Sequence, residues 1–322
     1  MKVFRGIPAM GGGVRTAVAI GNFDGVHLGH QALLKDAAGH VARSGGAVLS
    51  AALTFEPHPR EFFRAETLPA RICTLRDKAS LIAACGIDLT CFARFCDRLA
   101  RMTPEEFVLE ILVKRLRASY VAVGGNFTFG DRGRGSAEDL ARLCAPHGIE
   151  VRAADLLEEG SESISSSRLR DLLARGELAE ARRLLGHAVC ITGRVLHGAE
   201  LGRTLGFPTL NIRPLPPGCR ARPALDGVFA VKVHGLEPER ELFGVCSMGN
   251  RPTVGRNLNF TCETNVLDWS GDAYGKMIRV EFLERLRGNR KFPGLEALRE
   301  AIRADEAAAR RLFALQNPGD RV

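Results

Sequence analysis

The sequence predicts a two-domain α/β protein, in which an N-terminal doubly wound, Rossmann-like domain over residues 1–186 precedes a small antiparallel β-barrel with a C-terminal helix over residues 187–322. Two observations support this fold class. In the first half, short apolar runs alternate with segments of helical periodicity, the pattern of a parallel sheet covered by helices. After Gly186 and His187 the chain changes to short β-rich runs separated by Gly, Pro and Asn, as in small barrels.

The elements of the first domain follow from its apolar pattern. Apolar runs predict strands at 15–21, 46–55, 87–93, 119–123 and 149–153. Segments of helical period predict helices at 30–43, 76–85, 104–116, 136–146, 165–175 and 177–185. The clearest helix start is Thr103, because Pro104 follows it at the first helical position and Glu106 completes a capping box. Sheets of this kind bind ligands beyond the carboxyl ends of their strands, so we expect a site there.

The second domain is predicted from β-rich runs and one amphipathic helix. Strands are expected at 188–197, 226–235, 240–248, 260–267 and 276–285. A terminal helix that closes over the barrel is indicated by apolar residues at helical spacing, namely Leu295, Leu298, Ile302, Ala309 and Leu312.

Composition and charge restrict the class of protein. The 322 residues are 45% hydrophobic and 25% charged, as in ordinary globular proteins, and suffice for two cores. The net charge of +8 suits nucleic acid, but the arginines are spread out and small phosphorylated ligands explain the excess as well. Nine scattered cysteines favour a reducing compartment. Because no apolar run reaches the roughly 18 residues of a membrane span, we expect a soluble, cytoplasmic protein with no membrane partner.

The stretch Gly21–His30, read Gly-Asn-Phe-Asp-Gly-Val-His-Leu-Gly-His, joins a predicted strand to a predicted helix. Its glycines let the backbone turn sharply, while the N–H groups and the positive dipole end of the helix attract an anion such as phosphate. His27 and His30 are three residues apart on one face and could direct two imidazole donors at the same phosphate. The alternatives are a turn with two incidental histidines or half of a zinc site.

Three further segments of the first half follow strands or open a helix. Phe55–Phe63 contains two prolines around His58, which makes a stiff loop that holds one imidazole or serves as a rigid connector. Gly124–Gly135 is a glycine-rich loop with two arginines that can surround phosphate or stack on a planar ring; a mobile surface loop or an RNA-binding RGG-like segment are the alternatives. Ile164–Arg170 places three serines at a helix N-terminus, where a hydroxyl normally caps the helix by accepting from its first backbone N–H groups.

These segments resemble, in the same order, those of bacterial bifunctional riboflavin kinase/FMN adenylyltransferases, also called FAD synthetases. Gly21–His30 looks like the longer form of the His-x-Gly-His signature of nucleotidyltransferases. The resemblance implies that the first domain transfers AMP from ATP to FMN and releases pyrophosphate, with His27 and His30 stabilising charge on the α-phosphate. It implies an ATP site at Gly21, Phe23, Asp24, Gly29, Ser165, Ser166, Ser167 and Arg168. It implies flavin contacts at Phe55, Pro57, His58, Pro59, Asn126 and Phe127.

The second half resembles the riboflavin kinase module of the same family, at Gly202–Asn211, Asp226–Val231, Gly249–Thr253 and the strand around Glu263. The resemblance implies transfer of the ATP γ-phosphate to the 5′-hydroxyl of riboflavin, with Glu263 as the base; a lone Glu in a strand is otherwise more often an edge or surface residue. Mg²⁺ would be held by the hard oxygens of Thr209 and Asn211. Further ATP contacts are implied at Gly202, Arg203 and Pro208, and flavin contacts at Arg251, Pro252 and Thr253.

The chain departs from the family pattern at a few positions, where relatives usually carry Asp, Arg, Thr, Ala and His: Asn126, Thr128, Ser167, Leu210 and Asn265. Two other functions stay open. One is a single-activity nucleotidyltransferase whose barrel binds flavin as a regulator, and the other is a basic RNA-binding protein on an α/β scaffold. We expect small-molecule partners (ATP, riboflavin, FMN, FAD and pyrophosphate), no nucleic acid, and a monomer or weak homo-oligomer.

Overall fold

The structure, a computed structural model, describes residues 1–44, 48–63, 68–155, 158–159, 162–198, 201–216, 219, 221–251 and 259–316. Contacts between Cα atoms divide the chain into two units. The first unit comprises Met1–Pro69 and Lys78–Ser166, and the second comprises Ala70–Asp77 and Ser167–Val322.

The first unit is built on a sheet of six parallel strands in the order β1-β4-β3-β2-β5-β6. The strands are β1 (Lys2–Arg5), β2 (Arg15–Ile20), β3 (Val48–Glu56), β4 (Leu89–Arg94), β5 (Ala118–Gly124) and β6 (Glu150–Ala154). Strands β2 to β6 confirm the predicted ones. Strand β1 was not predicted, because it is a short edge strand whose residues are mostly exposed and give no apolar run.

Helices cover the sheet of the first unit. They are α1 (Leu28–Ser44), α2 (Pro59–Phe63), α3 (Leu75–Ala84), α4 (Asp97–Ala100), α5 (Pro104–Glu106) and α6 (Ala137–Cys144). The predicted capping box at Thr103 is present, since its hydroxyl accepts from Glu106 N at 3.2 Å and Glu106 accepts from Thr103 N at 2.9 Å. The predicted helix 104–116 continues as a π-helix over Phe107–Arg115, and Leu116 N donates to Ile111 O, five residues back.

The central strand β2 explains why its apolar run is continuous. Val18 and Ile20 belong to one core cluster, and Ala17 and Ala19 belong to the other, so both faces of the strand are covered. A strand buried on both faces needs apolar residues at every position. A doubly wound α/β unit, as predicted, is therefore confirmed.

The second unit contains a nearly closed, six-stranded antiparallel barrel in the order β10-β13-β12-β11-β14-β9. After a two-stranded ribbon of β7 (Glu158–Glu159) and β8 (Glu162–Ser163), its strands are β9 (Val189–Arg194), β10 (Leu210–Ile212), β11 (Gly227–His234), β12 (Leu242–Arg251), β13 (Asn259–Val266) and β14 (Met277–Arg287). Leu196 N donates to Asn211 O at 2.8 Å and nearly joins the two ends. The predicted barrel is confirmed; β10 was not predicted because it is only three residues long.

The remaining helices are α7 (Ser166–Arg175), α8 (Leu178–Leu185), α9 (Leu201–Thr204) and α10 (Leu295–Gln316). The domain boundary at residue 186 stays a prediction, while the division by contacts falls after Ser166. The reason is that the end of α7 contacts the barrel: Arg285 of β14 donates to the carbonyls of Ala174 and Arg175 at 3.4 and 3.1 Å. An amphipathic pattern shows that a helix packs, but it does not show against which sheet.

Helix α10 is fixed to the barrel by apolar packing and by two ion pairs, Asp305 with Arg287 of β14 and Arg310 with Asp268, which follows β13. The rings of Phe243 and Phe313 lie 4.5 Å apart between centroids, and Ala309 is fully buried. Arg287 forms a bidentate ion pair with the buried carboxylate of Asp305. Its Nε donates to Oδ1 at 2.8 Å and its Nη2 donates to Oδ2 at 2.7 Å. Fork geometry and partial burial make this an ion pair that contributes to stability.

We therefore predict that Asp305→Asn lowers the free energy of unfolding of the second unit by about 2 kcal/mol, because the charged hydrogen bonds to Arg287 are lost. Urea unfolding followed by circular dichroism measures this. Glu300→Gln, an exposed position on the same helix, should change the free energy of unfolding by less than about 0.5 kcal/mol. An equal effect of both variants would mean that Arg287 and Asp305 do not fix the helix.

Candidate active sites

The loop between β2 and α1 is held in an unusual conformation at the carboxyl end of the central strand. Phe23 and Val26 have positive φ values of 48° and 41°, although neither is glycine, and both are fully buried. Gly25 between them has a φ of 81°. Non-glycine residues keep such a conformation only when the surroundings enforce it, so the loop is rigidly packed.

The structure brings the two histidines of this loop together. The rings of His27 and His30 stack with centroids 3.6 Å apart and planes 20° apart, and His27 is buried. Nδ1 of His27 accepts from the backbone N–H of His30 at 3.3 Å, so a neutral His27 ring carries its proton on Nε2. Any Cβ at Gly29 would lie 3.2 Å from the His27 ring, which explains a glycine there. The arrangement offers imidazole donors beside the N-terminus of α1.

The zinc alternative gains no support from the neighbours of this pair. Within the part of the chain that the structure describes, no group of three or more His, Cys, Asp or Glu side chains is arranged to hold a metal ion. The catalytic role of His27 and His30 stays a prediction.

Two residues that sequence reasoning did not single out also contact the loop. Lys78 Nζ and Thr54 Oγ1 both donate to the backbone carbonyl of Asn22, at 2.9 and 3.0 Å. Lys78 lies on α3 and Thr54 on β3, and both side chains are buried. No local signal marks them, because their partner lies elsewhere in the sequence.

The predicted serine segment is divided between the units. Ser165 and Ser166 belong to the first unit, where Ser166 Oγ donates to the carbonyl of the buried Asp24 at 3.3 Å. Ser167 and Arg168 belong to the second unit, where Arg168 forms an ion pair with Glu180 at 3.2 Å. Their contact with ATP phosphates stays a prediction.

The loop after β3 fixes His58 as an N-terminal cap of α2. His58 is buried, its Nδ1 accepts from Arg60 N at 3.1 Å, and its carbonyl accepts from Glu61 N at 2.8 Å. Its neighbours Phe55 and Pro59 line a cavity, whereas Pro57 and His58 are not among the lining residues. The loop therefore orients an imidazole, as its prolines suggested, while the cavity is lined by its neighbours.

That cavity has a volume of about 460 Å³ and aromatic walls. Its lining includes Phe55, Phe63, Phe95, Phe107, Phe127 and Phe129. Phe63 and Phe95 meet edge to face at 5.6 Å, and Phe127 stacks on Phe129 at 5.7 Å. This size and lining suit a planar, largely apolar ligand group. Of the predicted flavin residues Phe55, Pro59 and Phe127 lie there; Asn126 is exposed and outside the lining.

The four remaining phenylalanines were not predicted as site residues. Phe63 and Phe95 follow different strands, and Phe107 opens the π-helix. Only the parallel order of β3 and β4 brings the first two together. A local excess of phenylalanine after β3 is the one signal in the sequence that pointed to this wall.

The second candidate site lies on one face of the barrel, where β10 pairs with β13. Asn211 stands directly opposite Glu263 in this ladder. Thr261 Oγ1 donates to Glu263 Oε1 at 2.9 Å and holds the carboxylate. The Asn211 side chain lies against Thr209, with Nδ2 at 3.4 Å from the Thr209 hydroxyl. The structure thus gathers the predicted base and the two predicted magnesium ligands on one face.

Close packing surrounds these residues. A Cβ at Gly198 would come within 2.5 Å of the Asn211 amide, and a Cβ at Gly202 would come within 2.4 Å of the Phe207 carbonyl. Asn265, which departs from the family pattern, donates to the carbonyl of Pro208 at 2.7 Å. The Arg203 side chain is exposed. The side chain of Arg251 and all of Pro252 and Thr253 lie outside the described residues.

The face of β13 opposite Glu263 belongs to the barrel interior. There the sulfur atoms of Cys246 and Cys262 lie 3.4 Å apart, and both are fully buried. Burial raises the pKa of the Cys246 thiol well above its usual value. A thiol that stays protonated is a poor nucleophile, which fits an interior packing role for Cys246.

Comparison with known proteins assigns both halves. Residues 13–168 match the family model described as FAD synthetase, and residues 185–313 match the model described as riboflavin kinase. The chain is 39% identical to the bifunctional riboflavin kinase/FMN adenylyltransferase of Escherichia coli K12, over 99% of this chain and 100% of that protein. This chain belongs to the bifunctional riboflavin kinase/FMN adenylyltransferase family. The member from Pseudomonas fluorescens is also 39% identical, over 98% of each chain.

One solved structure aligns with nearly the whole chain. A Streptococcus pneumoniae protein described as a macrolide-efflux protein aligns with a TM-score of 0.76 and 26% identity, covering 96% of this chain and 99% of that one. The efflux description belongs to the pneumococcal protein. In the described part of this family member, no helix has both the length and the hydropathy of a membrane span.

Proposed function

We propose that the barrel of this chain phosphorylates riboflavin to FMN with ATP, and that the α/β unit transfers AMP from a second ATP to FMN, giving FAD and pyrophosphate. The observation that carries the proposal is that each unit has its own set of residues suited to phosphate chemistry. In one it is the stacked pair His27 and His30, and in the other it is Glu263 opposite Asn211.

The aromatic cavity and the histidine loop lie at the same edge of the first sheet. Phe55 is near the carboxyl end of β3 and Phe127 follows β5, and these two strands flank β2, which leads into the histidine loop. A flavin ring in the cavity would therefore place its phosphate toward the loop, at the edge where parallel sheets bind ligands. This supports FMN as the acceptor of the adenylyl group.

In the adenylyl transfer, an oxygen of the FMN phosphate attacks the α-phosphorus of ATP while the bond to pyrophosphate breaks. Negative charge accumulates on the α-phosphate oxygens, and His27 Nε2–H with the His30 ring are the donors that offset it. Both rings are fixed before the reaction by their stacking and by the bond from His30 N to His27 Nδ1. Fixed donors stabilise the transition state without reorganisation.

In the phosphoryl transfer, the 5′-oxygen of riboflavin attacks the γ-phosphorus of ATP while the bond from that phosphorus to the leaving ADP breaks, and Glu263 accepts the proton of the 5′-hydroxyl. The Thr261 hydroxyl donates to one carboxylate oxygen and helps to hold the Glu263 side chain in place. Thr209 and Asn211 provide neutral, hard oxygens that fit Mg²⁺, and an ion bound there would neutralise charge on the ATP phosphates. Positioning and charge neutralisation account for most of the catalysis in such transfers.

The remaining expectations follow from this chemistry. Partners are ATP, riboflavin, FMN, FAD and pyrophosphate, and the chain acts as a monomer or weak homo-oligomer. We also expect a cytoplasmic enzyme, since nine scattered cysteines are typical of proteins in a reducing compartment.

Incubation with riboflavin, ATP and Mg²⁺, followed by chromatography of the products, tests the proposal. Both FMN and FAD should appear. FAD formed only when FMN is supplied would instead indicate a single-activity nucleotidyltransferase with a regulatory barrel. RNA affinity that falls steeply with salt, without ATP turnover, would indicate a nucleic-acid-binding protein.

We predict that His27→Ala or His30→Ala lowers FAD formation from FMN by ~10² to 10³, because one fixed donor to the transition state is lost. FMN formation from riboflavin should stay unchanged, since its residues lie in the other unit. Initial rates with each substrate measure both steps. An equal loss of both activities would point to a shared site or to misfolding.

We predict that Glu263→Gln lowers FMN formation by ~10² to 10⁴, because the amide keeps the size of the side chain but cannot accept the proton. FAD formation from supplied FMN should continue at the wild-type rate. Glu284→Gln, which changes an exposed carboxylate of the same barrel, is the matched control and should keep kinase activity. A Glu263→Gln enzyme within a few-fold of wild type would exclude Glu263 as the base.

We predict that Phe127→Ala raises the KM for FMN in FAD formation by roughly tenfold, because about 1.4 kcal/mol of ring packing is lost. Leu109→Ala removes an exposed apolar side chain of the same unit outside the cavity lining and should leave this KM unchanged. Steady-state kinetics at saturating ATP provides the comparison. An unchanged KM for FMN in Phe127→Ala would show that the flavin does not bind in this cavity.

A further inference from the structure

Lys78 is a fully buried cation, 1% exposed, in the unit that carries the histidine loop. Its ammonium donates to the carbonyl of Asn22 at 2.9 Å. Within the described residues, no carboxylate lies within ion-pair distance of it. Burying an ammonium group against a neutral partner costs stability.

The carbonyl of Asn22 is held from two sides. Thr54 Oγ1, also fully buried, donates to it at 3.0 Å, so two donors from different elements fix the peptide that joins Asn22 to Phe23. The next residue, Phe23, has the left-handed φ of 48°. Holding this peptide plane is what keeps a phenylalanine in a conformation that its side chain disfavours.

The conformation of Phe23 determines where its ring contacts the His30 ring. The fully buried Phe23 ring meets the His30 ring edge to face, with centroids 5.3 Å apart and planes 78° apart. The His30 ring also stacks on the His27 ring, with centroids 3.6 Å apart. Two rings thus contact His30, and one of them, Phe23, directly follows the peptide that Lys78 and Thr54 hold.

We propose that Lys78 is a positioning residue for adenylyl transfer: by holding the Asn22 carbonyl it keeps Phe23 in place, and Phe23 orients the His30 imidazole toward the phosphate. This inference rests on the proposed function of His30. A displacement of a catalytic group by about 1 Å lowers rates by roughly 10². The effect falls on kcat, because the ring moves relative to the transition state, whereas the contacts that bind ATP in the ground state are kept.

Lys78→Met is the test variant, since it keeps the length of the side chain and removes the donor. FAD formation from FMN should lose about 10- to 100-fold in kcat, with the KM for ATP changed less than about threefold. FMN formation from riboflavin should stay at the wild-type rate. Lys35→Met, which removes an exposed lysine of the same unit, is the matched control and should behave as wild type. Full kcat in Lys78→Met overturns the inference.

The double variant Lys78→Met/His30→Ala separates positioning from a general structural role. If Lys78 acts through His30, the double variant should be as active as His30→Ala alone, within about twofold. Losses that multiply would overturn the inference, because they would mean that Lys78 acts independently of His30.

Thr54→Val supplies a second probe that leaves the buried charge in place and removes the other donor to Asn22. It should lower kcat for FAD formation in the same direction as Lys78→Met, and its loss should also disappear in the His30→Ala background. If Lys78→Met does not fold, Thr54→Val still tests whether the hydrogen bonds to the Asn22 carbonyl position His30. A wild-type chain that fails to make FAD from FMN would refute the proposed function itself, whereas a normal wild type with unaffected variants would refute only the role of Lys78.

Discussion

The parallel pairing of β2 with β3 and β5 is the constraint on which the first candidate site depends. Because the three strands run in one direction, their carboxyl ends meet at one edge of the sheet, and the chain leaves each of them through a loop there. The histidine loop follows β2, the proline loop follows β3 and the glycine-rich loop follows β5. Residues separated by about a hundred positions therefore contribute to the same edge, although no pair of these loops is adjacent in sequence.

Rigidity at this edge comes from buried polar contacts to backbone atoms. The Asn22 carbonyl accepts from Lys78 and Thr54, the Asp24 carbonyl accepts from Ser166, and His27 accepts from His30 N. Each bond satisfies a loop atom that regular secondary structure would otherwise have paired. A loop tied in this way can keep strained residues and hold two imidazoles in fixed positions, as catalysis at phosphorus requires.

In the barrel, the register of strand pairing holds the candidate residues in fixed positions. In an antiparallel ladder each residue faces one partner, so the pairing of β10 with β13 places Asn211 opposite Glu263 without any loop. Alternation along β13 then directs Cys262 and Thr264 into the core and leaves Thr261 and Glu263 on the other face. The ion pair of Arg287 with Asp305 and the packing of Phe313 keep α10 on the barrel.

The sequence by itself determined the fold class and most elements and marked candidate residues for both sites, because these depend on local patterns. Hydrophobic periodicity marks β2 to β6, the capping box marks Thr103, and the glycine and histidine spacing marks Gly21–His30. Only the tertiary structure decided which distant residues complete each site. Lys78, Thr54 and Phe95 come from other elements, and the end of α7 contacts the barrel through Arg285. Such contacts join residues far apart in the chain, and their partners are chosen by packing and strand order, which leave no local mark on the sequence.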